Sequence, residues 1–129
     1  MKYPRAVIIS VFVIFVASAC ASTQPVTDPV AIVENFHEAL NNGDLDAAMS
    51  HVADDAEFRF FETFSGKAEI REAILERIDL GIRHELSDLQ ADGDRVTWID
   101  KETMGGGAFE NSYEAVVRGG LIVSLIEDV

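Results

Sequence analysis

The chain has 129 residues, with 10 basic against 23 acidic side chains, a formal charge of −13 and one cysteine. A field of that sign repels phosphate backbones and anionic headgroups, which argues against a nucleic-acid partner, and one thiol supports neither an intrachain disulfide nor a multi-thiolate metal site. The length accommodates one small domain.

The first segment reads as an export signal. Lys2 and Arg5 form a basic start, residues 6–16 are mainly apolar, and Ser18 and Ala19 are small residues ahead of Cys20. About eleven residues at ~1.5 Å each span roughly 16 Å, about half of a ~30 Å hydrocarbon core, so the segment is short for a permanent membrane span. The run Val16-Ala17-Ser18-Ala19-Cys20 resembles the lipobox of bacterial lipoproteins. That resemblance implies removal of residues 1–19, acylation of Cys20, and attachment to the bacterial cell envelope through lipid alone, in the outer membrane facing the periplasm. The alternative is cleavage nearby and a soluble secreted or periplasmic protein. Residues 20–27 then form a small, polar tether, and 28–129 form the domain. Without Lys2 and Arg5, 8 basic residues face 23 acidic ones. With Cys20 committed to the anchor, stability rests on an ordinary core.

Asp28-Pro29 predicts a helix start, an N-cap followed by a residue pre-set for the first turn. Ile32, Val33, Phe36, Ala39 and Leu40 then recur at helical spacing. Asn41-Asn42-Gly43-Asp44 predicts a stop and a new cap, leading into a shorter helix with Leu45, Ala48, Met49 and Val52. Residues 56–61 alternate and are aromatic, as a strand would be, and Ser65-Gly66-Lys67 ends that segment. A third helix over about 67–81 carries Ile70, Ala73, Ile74, Arg77 and Ile78 on one stripe. Its charged residues predict a solvated face.

Beyond residue 83 the period changes from 3.6 to 2. Residues 84–90 and 95–103 flank Asp92-Gly93, a tight-hairpin signal, and 108–118 and 121–128 flank Gly119-Gly120. Met104-Gly105-Gly106-Gly107 predicts a mobile loop between the two pairs. Helices that lead and strands that follow predict an α+β domain, its helices packed on one face of a curved, mostly antiparallel sheet.

Three stretches carry a family resemblance: residues 36–47, with Ala39-Leu40-Asn41-Asn42-Gly43-Asp44-Leu45-Asp46, then Ala53-Asp54-Asp55-Ala56, then Gly66-Lys67-Ala68-Glu69-Ile70-Arg71. Together they resemble the nuclear transport factor 2-like superfamily, in its SnoaL-like and ketosteroid isomerase-like branch. The resemblance covers roughly 28–129. It implies a cone-shaped α+β fold enclosing an apolar pocket, often dimeric through the outer sheet face, and it fixes no reaction, because this fold hosts enzymes, binding domains and assembly modules alike.

The resemblance also supplies a test for chemistry. An isomerase of this branch needs a base at the end of the first strand and two acidic donors, a tyrosine and a protonated aspartate. The matching positions hold Phe60 for the base and Phe36 for the tyrosine, with Glu114 near the aspartate; Glu62 is the nearest substitute for the base. The epoxide hydrolases of the superfamily use an aspartate, arginine, aspartate set. Here Asp100 and Glu127 match the acids, and Trp98 stands at the arginine. Neither catalytic set is complete.

If Val96, Trp98, Asp100 and Glu102 share one strand face, and Leu121, Val123, Leu125 and Glu127 share another, the pocket is aromatic and greasy. Its expected lining is Phe36, Phe58, Phe60, Trp98, Val116 and Leu125, and its polar groups, the candidates for acid or base work, are Asp100, Glu114 and Glu127. That pattern fits capture of an apolar, cationic ligand; equally, the aromatic residues fill the cone as core. Of the histidines, His37 with Glu34 has half the spacing of a helical di-metal motif. No second half exists, so His37 is expected to pack or face solvent, and neither a metal nor a cofactor is expected. The expected activity is binding of a small apolar molecule or a protein partner, with a homodimer as the implied assembly. The alternative is a SnoaL-like isomerase, cyclase or hydrolase acting through the pocket carboxylates.

Overall fold

The computed structural model describes residues 28–128; the expected export segment, Cys20 and the expected tether lie outside them. Helix α1 (Pro29–Asn41) starts where Asp28 Oδ1 accepts from the Val30 amide at 3.1 Å, satisfying one of the donors that a helix start leaves free. It buries the expected stripe and, in addition, His37. Gly43 adopts φ 67°, a conformation that costs glycine little, and reverses the chain into α2 (Leu45–Met49). Asp44 Oδ1 caps that helix at the Ala47 amide, 3.0 Å away.

Val52 does not continue α2. It opens strand β1 (Val52–Arg59), because the His51 carbonyl is already bound by the Ile122 amide at 2.8 Å and Val52 pairs with Ile122. β1 therefore starts earlier than the aromatic alternation indicated. The chain then folds back as a short strand, β2 (Thr63–Ser65), antiparallel to β1, with Phe64 opposite Phe58. Helix α3 (Lys67–Asp79) follows, burying Ile70, Ala73 and Ile74.

Strands β3 (Arg83–Asp92), β4 (Arg95–Met104), β5 (Gly107–Arg118) and β6 (Leu121–Asp128) form the expected antiparallel succession. The sheet is six-stranded in the order β2-β1-β6-β5-β4-β3, and β1 joins β6 in parallel. Met104 pairs directly with Gly107, so the glycine-rich stretch expected to be a mobile loop is a tight turn, with Gly105 and Gly106 at φ 58° and 87°. Positive φ at both central positions matches the twist of the flanking strands.

Three irregularities curve the sheet around its core. One lies in β1 between Val52 and Glu57, one in β3 between Ser87 and Gln90, where Asp88 takes φ 54°, and one in β6, where Val117 pairs with Ile122 but Val116 with Ser124. The last corrects the face expected of the final strand. The extra residue flips the alternation, so Ile122 is buried with Leu125 and Glu127, while Leu121 and Val123 are only partly buried. The concave face thus collects Val96, Trp98, Asp100 and Glu102 from β4, Tyr113, Ala115 and Val117 from β5, and this set from β6. Phe36, Phe58, Ile70 and Ile74 pack against it.

Candidate functional site

A cavity of about 500 Å³ opens between α3, the β1–β2 turn, the β4–β5 turn and the end of β6. Its walls are Phe60, Phe61, Phe64, Leu80, Ile82, Met104 and Phe109. Phe61 and Phe109 are among the exposed large apolar side chains, and here they edge a concavity. The polar lining is Glu62, Glu76, Arg77, Glu102, Asn111 and Glu127.

The inner end is a network. Arg77 sits one turn beyond Ile74 on α3, and its long side chain carries the guanidinium inward, 4.8 Å from the centre of the Phe60 ring and 2.6 Å from Glu102 Oε2. The Tyr113 hydroxyl donates to Glu102 Oε1. Burial and the neighbouring Glu102 charge push the Tyr113 phenol far above its ordinary range. Glu127 is also raised, by burial first and then by Glu102, with the Arg77 guanidinium and the polar Tyr113 hydroxyl nearby opposing the shift. A carboxylate in such a place is harder to ionise.

Behind this network lies a second, small cavity of about 10 Å³, sharing Phe60, Arg77 and Glu102 with the first and reaching His37, His84 and Asp100. His84 Nδ1 lies 2.6 Å from Asp100 Oδ2, and His37 Nε2 lies 3.8 Å from the same oxygen. His37 Nδ1 meets the Val33 carbonyl at 2.8 Å; that oxygen can only accept, so Nδ1 carries a proton. Desolvation and then the adjacent His84 lower His37 to about 4. Trp98 packs alongside, its ring edge-on to His37 at 5.4 Å and stacked on Tyr113 at 5.6 Å.

The residues singled out from sequence are distributed over four places. Glu127 and Phe60 line the large cavity, whereas Asp100, Phe36 and Leu125 line the small one. Phe58 and Trp98 are buried in the core. Glu114 and Val116 are not pocket residues: on β5 the inward positions are Tyr113, Ala115 and Val117, so period two sends Glu114 outward, where it meets Arg95 at 3.2 Å. Arg77, assigned to a solvated face, instead reaches the cavity floor. His37 and His84 face the buried Asp100. Glu102 stands on the β4 face expected from sequence, although only Asp100, Glu114 and Glu127 were taken as the pocket's polar groups, and Tyr113 could have been found by moving the β5 frame one residue. No local signal paired His37 with His84, which the fold brings together from α1 and β3.

A bent sheet wrapped around helices, with its cavity at the wide end, defines the nuclear transport factor 2-like class of α+β domain. A sequence profile described as a SnoaL-like domain matches residues 33–124, and the chain belongs to that family. Among solved structures it is similar to a nuclear transport factor 2-like protein from Cytophaga hutchinsonii, with TM-score 0.73 and 19% identity over 83% of this chain and 92% of that one. It is also similar to a cystatin-fold protein from Novosphingobium aromaticivorans, with TM-score 0.71 and 18% identity over 78% and 97% of the two chains. An LEH-like epoxide hydrolase from M. tuberculosis matches with TM-score 0.68 and 22% identity over 77% and 80%. At these identities the likeness is one of fold. No curated protein matches the sequence significantly.

Proposed function

We propose that this is an envelope lipoprotein whose SnoaL-like domain binds a small apolar molecule with a cationic end. The observation that carries the reading is the lining of the large cavity, where aromatic walls accompany Glu62, Glu76, Glu102 and Glu127 against Arg77, which is already paired with Glu102. Aromatic faces and uncompensated carboxylates both favour an organic cation, and a volume of about 500 Å³ suits a ligand of one or two rings. The anchor belongs to the same proposal and rests on the sequence around Cys20, outside the described residues.

The test is thermal and fluorescence titration with an aromatic quaternary ammonium dye and its uncharged carbon isostere. Saturable binding, tighter for the cation by about tenfold at low salt, is expected; this is ~1.4 kcal/mol, the scale of one cation–π contact with a partly desolvated carboxylate. Absence of a melting shift with either compound overturns the reading.

Glu127 favours a second reading, acid–base turnover of the bound molecule. A carboxyl whose ionisation is displaced upward and whose neighbours are a phenol and a guanidinium is suited to proton transfer. Product formation abolished in Glu127→Gln supports it, and recovery of the bound molecule unchanged after prolonged incubation excludes it for that compound.

A further inference from the structure

The His37, His84 and Asp100 side chains are more than nine-tenths buried, and one ligand atom from each lies within 4.8 Å of the others. We infer that they form a binding site for a first-row divalent cation of the zinc class, behind the floor of the large cavity and separate from the ligand proposed for it.

The hydrogen bonds make the case. With its Nδ1 proton given to the Val33 carbonyl, His37 has Nε2 left for a ligand, 3.8 Å from Asp100 Oδ2. A ring nitrogen and a carboxylate oxygen facing one another in a buried chamber call for something positive between them, a proton or a metal ion. The other oxygen, Asp100 Oδ1, is buried and has no hydrogen-bond partner among the described residues. A buried carboxylate oxygen without a partner is costly, and a cation bound by both oxygens of Asp100 satisfies it.

Distances are compatible with a small ion. Ligand bonds of about 2.0–2.1 Å at a tetrahedral centre place donor atoms about 3.3 Å apart. The 3.8 Å pair contracts and the 2.6 Å pair opens, each by well under an ångström, and the two imidazole nitrogens, within 4.8 Å of one another, close by up to about 1.5 Å as the rings turn toward the ion. His84 then binds through Nδ1 and carries its proton on Nε2. The small cavity beside the three side chains, about 10 Å³, is on the scale of one atom. Two imidazoles and one carboxylate suit zinc, cobalt or iron rather than magnesium or calcium, which take mainly oxygen ligands. Three protein donors leave a coordination position toward that cavity, where Arg77 and Glu102 also stand.

The competing occupant is a proton alone, held between His84 and Asp100. To separate the two, the purified full chain is stripped with a chelator and titrated with zinc, and in parallel with cobalt. A metal site gives one ion per chain, a rise in melting temperature, and visible cobalt bands of a low-coordinate centre. His37→Gln and His84→Gln weaken binding by more than the roughly 10–100-fold that loss of an outer-shell partner costs, while His51→Gln, outside the cluster, leaves it unchanged. If a cluster variant fails to fold, the wild-type cobalt spectrum and zinc-dependent melting decide. A proton-only pair gives neither a melting shift nor cobalt bands. That result, or bands that persist in His84→Gln, overturns the inference.

Discussion

Arg77, in the last turn of α3, and Glu102, near the end of β4, form a largely buried ion pair at 2.6 Å that ties helix to sheet at the floor of the cavity. Its two halves are not equivalent. Glu102 has a second partner in Tyr113, and its charge also acts on Glu127; Arg77 has the Phe60 ring and faces the open cavity.

Removing the cation therefore costs more than removing the anion. Arg77→Met leaves the Glu102 carboxylate beside Glu127 with one neutral donor. Loss of one partner from a fully buried pair costs about 3–5 kcal/mol, and the open cavity reduces this to about 1–3 kcal/mol. Glu102→Gln retains an acceptor for Tyr113 and leaves a guanidinium that can reach water, so about 1 kcal/mol is expected. Urea midpoints at constant m-value measure both. Equal costs would mean that Glu102 is as well solvated as Arg77.

Glu127 gives the domain a pH-dependent term of known sign. Its folded pKa is raised above 4.5, so the native state holds this proton more tightly than the unfolded chain. The contribution to stability is complete below pH 4.5 and is lost as pH rises through the folded value. The groups that set the shift are Glu102 and Asp100 on β4, Arg77 on α3 and Tyr113 on β5, so the useful quantity is a difference between variants. Wild type minus Glu127→Gln, measured as unfolding free energy from pH 4 to 8, should fall with rising pH. Cation affinity should move the opposite way, rising as Glu127 ionises. A flat difference would show that Glu127 titrates alike in both states.

Helix starts, strand alternation and hairpin signals made much of this fold legible, because each depends on a few adjacent residues. Asp28-Pro29 and Gly119-Gly120 illustrate this. What could not be read was the frame of β5 and the start of β6, since an alternating strand is consistent with either face until its neighbours are known, and one extra residue in β6 changes the answer. The same ambiguity exchanged Glu114 for Tyr113. The histidine and carboxylate cluster was illegible for another reason: His37, His84 and Asp100 come from α1, β3 and β4, and only the closed tertiary structure sets them within contact.

Trp98 carries a buried indole N–H without a partner among the described residues, while its ring stacks on Tyr113. Trp98→Phe removes the unsatisfied donor, worth about 1–3 kcal/mol, and loses packing of similar size. A net change within about 1 kcal/mol is expected by chemical denaturation, against roughly 3–5 kcal/mol for Phe58→Ala, which deletes a fully buried ring and makes no such compensation.

The anchor is tested by Cys20→Ser expressed with its export segment. A serine cannot take the thiol-linked lipid, and a single remaining chain gives only marginal, reversible membrane binding. The variant should accumulate unprocessed or move to the soluble fraction, as fractionation and intact-mass measurement will show. Retention in the membrane fraction after correct processing would remove the lipid from the proposal and leave the domain's function unaffected.

Glu114 and Glu127 provide the sharpest test of which face of the sheet carries the site. Both were candidates by their match to catalytic positions of the family, yet Glu114 is on the convex side, paired with a half-exposed Arg95, while Glu127 lines the cavity. Glu114→Gln breaks an exposed ion pair and should change stability by less than about 0.5 kcal/mol, with binding of the quaternary ammonium dye unchanged. Glu127→Gln should weaken that binding by about tenfold at neutral pH and reduce its sensitivity to salt, because the lost carboxylate attracts the cation partly through solvent. Loss of dye binding in Glu114→Gln would move the ligand to the outer face, where a partner surface rather than a cavity would be doing the recognition.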